Sequence, residues 1–285
     1  MNFKYLCDQY QLGRFRSVAE LNPGTSSQVW RLDTDRGSFL VRTLTGKEQG
    51  EREWSIYRHL RARGFTAMPT VFVPCFEQAG QWYQVQEYCS GRRPSPEQPG
   101  TAGKIADMVT GLVLAAAGCT TADFTDRFDL ASVWSEYRLN WPLLELPFSQ
   151  SEADRRVAEL SAIPVKDRQV IHGDLGLWNM LEDGDVIRVI DFGEARMGDP
   201  YFDLASALAG LINHSTEGNR NANAAEFLAA CRERMELDMG RLTGQISLWV
   251  WRGLAQCVKN PAAWKQMAQR FYHALNWAEE NLHEL

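Results

Sequence analysis

The side chains best suited to chemistry lie in one short stretch, residues 170–205. Asp174 and Asp191 each follow an apolar run whose composition predicts a β-strand. Between the two runs, Asp183-Gly184 predicts a two-residue hairpin turn, because both turn positions favour positive φ. Such a turn would bring the loop that carries Asp174 and the cluster at Asp191 to the same end of the hairpin.

The residue types in this stretch suit phosphoryl transfer. A triphosphate and its metal ions require hard oxygen ligands, and the carboxylate of Asp191 with the amide carbonyl of Asn179 forms such a pair for Mg²⁺. A second carboxylate must stay off the metal, orient the attacking hydroxyl and take its proton late, since the protein has little covalent work to do in this reaction. Asp174 is the candidate for that base.

The order of these motifs resembles that of the aminoglycoside phosphotransferase and choline kinase family, small-molecule kinases with the protein-kinase fold. The matching motifs are His172-Gly173-Asp174, Asn179, Asp191-Phe192-Gly193 and Gly198-Asp199-Pro200-x-x-Asp203-Leu204-Ala205. Each fragment alone is weakly specific, whereas their order on a predicted strand, loop, hairpin and helix is distinctive. The alternative is a loop-rich core whose carboxylates only cap helices.

The resemblance implies an α+β, protein-kinase-like bilobal fold. A small N-terminal lobe, residues 1–90, would contain an antiparallel β-sheet with one helix and bind the nucleotide. A larger, mainly α-helical C-terminal lobe, residues 91–285, would carry the catalytic groups and bind the acceptor. Helical patterns beyond residue 90 predict helices at 102–117, 130–140, 152–163, 203–212, 224–235, 246–258 and 262–282.

The acceptor is expected to be a small molecule. Protein kinases carry a long activation segment after the metal-binding Asp, and an Arg directly before the catalytic Asp. Here only residues 194–197 separate Gly193 from Gly198, and position 173 is Gly. The sequence leaves no room for a platform that docks a protein substrate.

The resemblance also indicates nucleotide-binding residues in the N-terminal lobe. The loop expected over the triphosphate is the turn with Gly24, Thr25, Ser26 and Ser27, which read alone predicts only a hairpin turn. The resembling family has a hinge whose backbone groups hydrogen-bond the adenine edge, and its counterparts here are Glu87 and Cys89.

Arg42 lies where a protein kinase offers Lys to the α- and β-phosphates. Its planar guanidinium can hold phosphate oxygens, although Arg and Lys differ in geometry. Glu53, on the next predicted helix, is the best candidate for the carboxylate that pairs with this cation. The alternative is a solvated surface residue, in which case Glu48 or Glu51 would take the role.

Several helix ends and faces are predicted from the same patterns. Thr45 with Glu48 predicts a capping box for a helix that reaches about Arg63. Asp199 is expected to cap the helix that follows Pro200. The last helix has an apolar stripe that is interpreted as core packing, with Trp264, Met267, Phe271, Leu275, Ala278 and Leu282.

Other residues are expected to support the site or contact the acceptor. Asp203 resembles the family residue that braces the catalytic loop by accepting backbone N–H bonds, with His172 and Asp199 as further structural support. Candidate acceptor contacts are Trp178, Glu194, Trp134 and Tyr137. A buried aromatic stripe would explain Trp134 and Tyr137 equally well, and a surface salt bridge would explain Glu194.

Composition excludes several other classes of protein. The 285 residues carry a net charge of −6, whereas nucleic-acid binders show a basic face. The six cysteines are scattered without the spacing of a zinc site, which indicates reduced thiols and a cytoplasmic location. The sequence shows no signal-peptide pattern and no apolar run of membrane-spanning length, so no membrane association is expected.

The leading hypothesis is an ATP- and Mg²⁺-dependent transfer of the γ-phosphoryl group to a hydroxyl of a small molecule. The resembling family includes kinases of aminoglycosides, choline or ethanolamine, and homoserine, and the sequence does not choose among such acceptors. One alternative is a nucleotide-binding regulatory module without turnover, which only the Lys-to-Arg departure at Arg42 favours. A further alternative is an enzyme of the same fold that transfers a nucleotidyl group.

Overall fold

The N-terminal part of the chain is built on a five-stranded antiparallel sheet. The structure is a computed structural model that describes residues 1–21, 27–121, 126 and 128–285. The strands follow the order β1-β2-β3-β5-β4 and span β1 Phe15–Leu21, β2 Val29–Thr34, β3 Gly37–Leu44, β4 Val71–Gln78 and β5 Gln81–Glu87. A short helix, α1 (Phe3–Gln9), precedes them.

One helix, α2 (Lys47–Ala62), joins β3 to β4, as expected from the sequence. The predicted capping box is wrong, because the helix begins after Gly46, which has no side chain to cap it. The backbone N–H and hydroxyl of Thr45 both donate to Oε1 of Gln49, at 2.9 and 2.8 Å. The partner of Thr45 is therefore Gln49 rather than Glu48.

The C-terminal part is mainly helical. The helices span α3 Thr101–Ala116, α4 Leu130–Tyr137, α5 Gln150–Ser161, α6 Tyr201–His214, α7 Arg220–Arg234, α8 Met239–Lys259 and α9 Pro261–Asn281. The predicted helix at 130–140 is interrupted, because the chain tightens after Tyr137 into a 3₁₀ helix, Arg138–Leu144, that contains Pro142.

Two short antiparallel pairs carry the loops of the site. β6 (Gln169–Ile171) pairs with β9 (Arg196–Gly198), and β7 (Met180–Asp183) pairs with β8 (Val186–Val189). The β7–β8 turn lies one residue later than predicted, because Asp183 pairs with Val186 and leaves Gly184-Asp185 as the two-residue loop. The predicted consequence holds, since both flanking loops leave the same end of the hairpin.

The buried side chains form two clusters. A small one lies on one face of the sheet beneath α1 and includes Leu6, Leu32 and Val41. The large one fills the helical part and includes Ile56 and Leu60, so α2 packs against the C-terminal helices. A division into lobes at residues 1–90 and 91–285 remains a prediction. Within the described residues, no helix is long and apolar enough to span a bilayer.

Candidate active site

The loop that follows β6 is held by a buried carboxylate. Asp203, near the start of α6, accepts hydrogen bonds from the backbone N–H groups of His172 at 2.7 Å and Gly173 at 3.0 Å. These are the contacts that the family resemblance implies for Asp203. Burial raises the pKa of Asp203, against the opposing effect of His172 and the two backbone N–H groups.

A second brace on this loop comes from Arg196, on β9. Its Nη1 donates to the carbonyl oxygens of Gly173 and Glu194, both at 3.2 Å. Gly173 has a φ of 81°, and a Cβ at this position would lie 2.0 Å from Nη1 of Arg196. Position 173 therefore requires glycine. The sequence gives no signal for this role of Arg196, since it is one basic residue on a short strand.

Asp174 lies at the mouth of this loop with one carboxylate oxygen held. Its Oδ2 accepts hydrogen bonds from Nε1 of Trp178 at 3.1 Å and from Nδ2 of Asn179 at 2.9 Å. Burial raises the pKa of Asp174 above its ordinary range, outweighing the hydrogen bonds from Trp178 and Asn179. The carboxylate is thus oriented, and no hydrogen bond to Oδ1 occurs within the described part of the chain.

Asn179 and Asp191 present oxygen atoms on neighbouring loops. The amide nitrogen of Asn179 donates to the backbone oxygen of Asp174 at 2.8 Å as well as to its carboxylate. This orientation leaves the amide carbonyl of Asn179 for another partner. Asp191 has a φ of 62°, and its Oδ1 accepts from the backbone N–H of Gly193 at 3.2 Å. Its side chain is 49% exposed, which suits a ligand-binding carboxylate.

The two loops are joined through the imidazole of His172. Its Nδ1 accepts from the backbone N–H of Asp174 at 3.3 Å, and its Nε2 donates to the carbonyl of Ile190 at 3.0 Å. The ring also packs edge-on against Phe192. Because His172 is buried and contacts both loops, it fixes the position of Asp174 relative to Asp191.

Arg42 connects the sheet to the same cluster. It is buried and forms close ion pairs with Glu53 and, at 3.0 Å, with Oδ1 of Asp191. Burial lowers the pKa of Arg42, but Glu53 and Asp191 outweigh that effect and raise it above the ordinary value. The predicted pairing of Arg42 with Glu53 is confirmed. Glu51 pairs instead with Lys47 at the surface.

Sequence reasoning missed one partner of Arg42. Oε1 of Gln84 accepts from Nε of Arg42 at 3.1 Å, and the two residues face each other across β3 and β5. Gln84 is fully buried. A polar residue at an inward position of a predicted strand was the signal that could have identified it.

The other predicted nucleotide contacts are only partly described. Gly24, Thr25 and Ser26 lie outside the described residues, and Ser27 lies two residues before the start of β2. The carboxylate of Glu87 pairs with Arg188 at 2.8 Å, so its side chain is occupied. The thiol of Cys89 lies 3.7 Å from the same guanidinium.

Asp199 has a supporting position near the start of α6. The predicted N-cap lies one residue too early, because Pro200 directly precedes the first turn of α6, although Oδ1 of Asp199 accepts from the backbone N–H of Tyr201 at 2.9 Å. Arg241, on α8, donates to both of its carboxylate oxygens at 2.7 to 3.0 Å. The structure thereby ties the end of β9 to α8.

A cavity of about 510 Å³ opens directly beside Asp174. One wall comes from α8 and α9, and another from the loop that carries Asp174. The lining residues are Phe128, Gly173, Asp174, Trp178, Phe202, Trp249, Arg252, Gly253, Gln256, Ala263, Trp264, Met267 and Phe271. We refer to it as the α8–α9 cavity.

The interpretation of the α9 stripe as core is wrong in its first half. Trp264 and Met267 are 44% and 47% exposed and line the α8–α9 cavity, whereas Leu275 and Ala278 are buried. Helical spacing identifies an apolar face but not what lies opposite it. Here α8 and the loop that carries Asp174 leave a space beside the first turns of α9.

Of the predicted acceptor contacts, only Trp178 lines this cavity. Trp134 is buried, and its Nε1 donates to Asp154 at 2.8 Å. Tyr137 lies beneath Nζ of Lys259, 5.7 Å from the ring centroid. Glu194 is buried rather than at the surface.

Comparisons with known proteins agree with this architecture. A family model described as "Phosphotransferase enzyme family" matches residues 17–239. An amicoumacin kinase, hAmiN, solved with AMP-PNP and Ca²⁺, shares 15% identity at a TM-score of 0.73, covering 100% of this chain and 97% of its own. No match was found among curated proteins.

Two further solved structures show the same fold. A spectinomycin phosphotransferase, solved with ADP and spectinomycin, is 13% identical with a TM-score of 0.66, covering 99% of this chain and 98% of its own. A choline/ethanolamine kinase family protein from Mesorhizobium loti is 20% identical with a TM-score of 0.60, covering 93% and 89%. The predicted kinase-like fold, with an antiparallel N-terminal sheet and a helical C-terminal part, is confirmed.

Proposed function

Because the chain belongs to the phosphotransferase enzyme family and is a small-molecule kinase, we propose that it transfers the γ-phosphoryl group of ATP, with Mg²⁺, to a hydroxyl of a small molecule. The observation that carries this proposal is the arrangement of Asp174 and Asp191. One carboxylate faces the α8–α9 cavity and the other faces Arg42, and His172 joins their loops.

The donor atoms in the site suit a hard divalent cation. Asp191 would supply a carboxylate oxygen and Asn179 its amide carbonyl, which the orientation of its amide nitrogen leaves available. Mg²⁺ prefers both of these oxygen ligand types, whereas Zn²⁺ and Cu²⁺ sites are built on nitrogen or sulfur ligands. When bound, the ion would neutralise charge on the β- and γ-phosphates.

The sheet would hold the nucleotide. Arg42 points its guanidinium toward Asp191, so an anion that replaces part of this ion pair would meet a fixed, charged fork. Gln84 and Glu53 keep that guanidinium in place. Cys89 follows β5, and in the described residues its backbone N–H and C=O form no hydrogen bond, which suits recognition of the adenine edge. Ser27 would cover the phosphates.

Asp174 would act on the acceptor. Trp178 and Asn179 hold Oδ2, which leaves Oδ1 to accept a hydrogen bond from the attacking hydroxyl. The hydroxyl is thereby oriented toward the phosphoryl group, and its proton passes to the carboxylate late in the transfer. The raised pKa of Asp174 makes the carboxylate a better proton acceptor than an exposed aspartate.

Product masses test this proposal. The protein is incubated with MgATP and a panel of amicoumacin, spectinomycin, hygromycin B, choline, ethanolamine and homoserine, followed by mass spectrometry. A gain of one phosphoryl group on an acceptor supports the proposal. A gain of one nucleotide instead, or no product with any acceptor while MgATP binds, contradicts it.

Asp174→Asn tests the assigned base. We expect turnover to fall about 10² to 10⁴-fold, the usual range for a positioned base, with nucleotide affinity retained. Asp185→Asn is the control, because Asp185 is exposed in the β7–β8 loop. A variant at position 174 that turned over at the wild-type rate would refute the assignment. The cytoplasmic location remains a prediction.

A further inference from the structure

We infer that the acceptor is a largely apolar, ring-bearing compound of low charge, bound with its rings among the aromatic side chains of the α8–α9 cavity. The inference rests on the proposed function, since that function makes the cavity beside Asp174 the acceptor site. It concerns which chemistry the cavity selects, whereas the proposed function concerns which group is transferred.

The size of the cavity indicates a compound larger than a simple amino alcohol. About 510 Å³ falls within the range of pockets that enclose drug-sized ligands. The side chains come from one face of α8, with Trp249 and Gln256 two turns apart, and one face of α9, with Trp264 and Phe271 two turns apart. The helices allow this approach at Gly253, where a Cβ would lie 2.5 Å from the ring of Phe271.

The aromatic rings offer faces for stacking close to the proposed base. Trp178 and Trp249 stack at an interplanar angle of 20°, and Phe271 packs edge-on against Trp249 at 5.2 Å. The same Trp178 donates its indole N–H to the carboxylate of Asp174. A ring system stacked on this wall would therefore place a nearby hydroxyl within reach of Asp174.

The charge of the cavity disfavours a polycation. Among its described lining residues, Asp174 is the only carboxylate and Arg252 the only cationic side chain. Arg252 is already paired, since its Nη2 donates to Oδ1 of Asp126 at 3.0 Å and its Nη1 forms a second close contact with the same carboxylate. An acceptor with several ammonium groups would have to desolvate each of them, and Asp174 alone could compensate for that cost with an ion pair.

One polar group in the wall of the α8–α9 cavity is available to a ligand. Nε2 of Gln256 is buried, and no hydrogen bond to it occurs within the described part of the chain. Buried amide groups in proteins are normally hydrogen-bonded, so this one fits a ligand oxygen. Gln256 lies two turns of α8 beyond Trp249, the residue that stacks on Trp178 beside Asp174, so that oxygen would belong to the end of the acceptor far from the reacting hydroxyl.

Calorimetric titration with the protein saturated by Mg²⁺ and AMP-PNP tests the inference without requiring turnover. The probes are naphthylethanol and chloramphenicol as uncharged aromatic alcohols, kanamycin as a polycation, and choline as a small quaternary ammonium alcohol. We expect the aromatic alcohols to bind at least about tenfold more tightly than the other two, the scale of one well-placed stacking contact. Tighter binding of kanamycin or choline would overturn the inference.

Substitutions in the cavity wall test whether the aromatic alcohols bind in the α8–α9 cavity. Trp264→Ala should weaken the aromatic alcohols about tenfold or more, and Phe72→Ala, equally exposed at 49% but on β4, should leave them unchanged. Gln256→Leu should weaken chloramphenicol, which has carbonyl and nitro oxygens, and spare naphthylethanol. Unchanged binding in Trp264→Ala would place these ligands elsewhere and overturn the inference.

The two proposals fail in different ways. Tight, Trp264-dependent binding of aromatic alcohols with no phosphoryl transfer to any acceptor would refute the proposed function and leave the selectivity of the cavity intact. Phosphorylation of kanamycin at a higher kcat/KM than any aromatic alcohol would support the proposed function and overturn the inference.

Discussion

At the scale of single residues, the three aspartates of the site differ because their surroundings differ. Asp203 is fully buried, and each of its carboxylate oxygens accepts a hydrogen bond from a backbone N–H group. Asp191 is half exposed and shares one oxygen with Arg42. Asp174 lies between these cases, with one oxygen held by Trp178 and Asn179. These environments suit a structural brace, a metal ligand and a base, respectively.

The raised pKa of Asp174 predicts the pH dependence of turnover. A base must be ionised to act, so kcat should fall as the pH drops through this raised pKa, at a higher pH than for an exposed aspartate. The pH profile of kcat measures this acid limb. A limb at or below the ordinary range of aspartate, about pH 4, would contradict the prediction.

The same shift predicts a change in stability. A carboxyl whose pKa is raised on folding stabilises the protein fully below its unfolded pKa, and this contribution is lost as the pH rises through the folded pKa. At neutral pH the ionised Asp174 therefore lowers the free energy of unfolding. Asp174→Asn should raise the Tm at pH 7 and lose that advantage in acid. A lower Tm at pH 7 would show that the asparagine misfits the site.

The Arg42–Glu53 pair predicts non-additive kinetics. If Glu53 holds Arg42 against the phosphates, replacing either residue should cost nearly as much as replacing both, with a coupling above about 1 kcal/mol in kcat/KM. Arg42→Lys should retain partial activity and Arg42→Ala almost none, since Lys keeps the charge but loses the planar fork. Glu51→Gln is the control, because Glu51 pairs with Lys47. Coupling near zero for Glu53 would assign it a purely structural role.

At the scale of elements, the short β6–β9 pair determines where the loop that carries Asp174 runs. The loop begins directly after β6, which is held by its pairing with β9, and Arg196 of β9 donates a hydrogen bond to the carbonyl oxygen of Gly173. Arg196 also pairs with Asp126 at 3.2 Å, which in turn binds Arg252 in the wall of the α8–α9 cavity. The loop and the cavity are therefore positioned by one connected set of charges.

Alanine substitutions at two glycines with positive φ can distinguish the cost of backbone strain from the cost of crowding by neighbouring atoms. Gly173→Ala adds a Cβ against Arg196, so it should cost more than the roughly 1–3 kcal/mol of backbone strain and abolish most turnover. Gly184→Ala has a similar φ, 61°, and open space around its Cβ, so it should cost only the strain and leave kcat near wild type. Chemical denaturation and initial rates measure both. Equal losses in the two variants would mean that Arg196 moves aside freely.

At the scale of the whole molecule, the sheet and the helical part meet around the site. The contacts of the sheet and of α2 with the C-terminal part include Arg42 with Asp191, Glu87 with Arg188, and the ring of Tyr57 against Phe192. A ligand that binds both sides of this junction stabilises the contacts on each side. The nucleotide should therefore act on the stability of the whole chain rather than on one element.

Thermal unfolding with nucleotide tests this expectation. A ligand at 100 times its Kd contributes about 2.7 kcal/mol, which for a chain of this size raises the Tm by roughly 4 to 5 °C. We expect AMP-PNP with Mg²⁺ to give such a shift in the wild type, and Asp191→Ala to lose the part that depends on Mg²⁺. Asp185→Asn should retain it. An equal Mg²⁺-dependent shift in Asp191→Ala would exclude Asp191 as the metal ligand.

The motifs of residues 172–205 implied the fold class through their family resemblance, and side-chain patterns by themselves determined most of the elements and the central carboxylates. These features are local: Asp174, Asn179 and Asp191 are close along the chain, and the turns and strands around them follow from side-chain preferences of a few residues. The pairing of Arg42 with Glu53 was also predictable, since one strand and one helix connect them. Local patterns therefore suffice wherever the groups that interact are near neighbours in sequence.

Only the tertiary structure decided which distant residues complete the site. Arg196 reaches Gly173, and Gln84 reaches Arg42, through contacts that no spacing along the chain encodes. The burial of Trp134 and the exposure of Trp264 were equally hidden, because an aromatic stripe on a helix looks the same whether it faces a core or a cavity. What faces each stripe depends on how the helices pack, and that packing is set by the side chains of the whole molecule together.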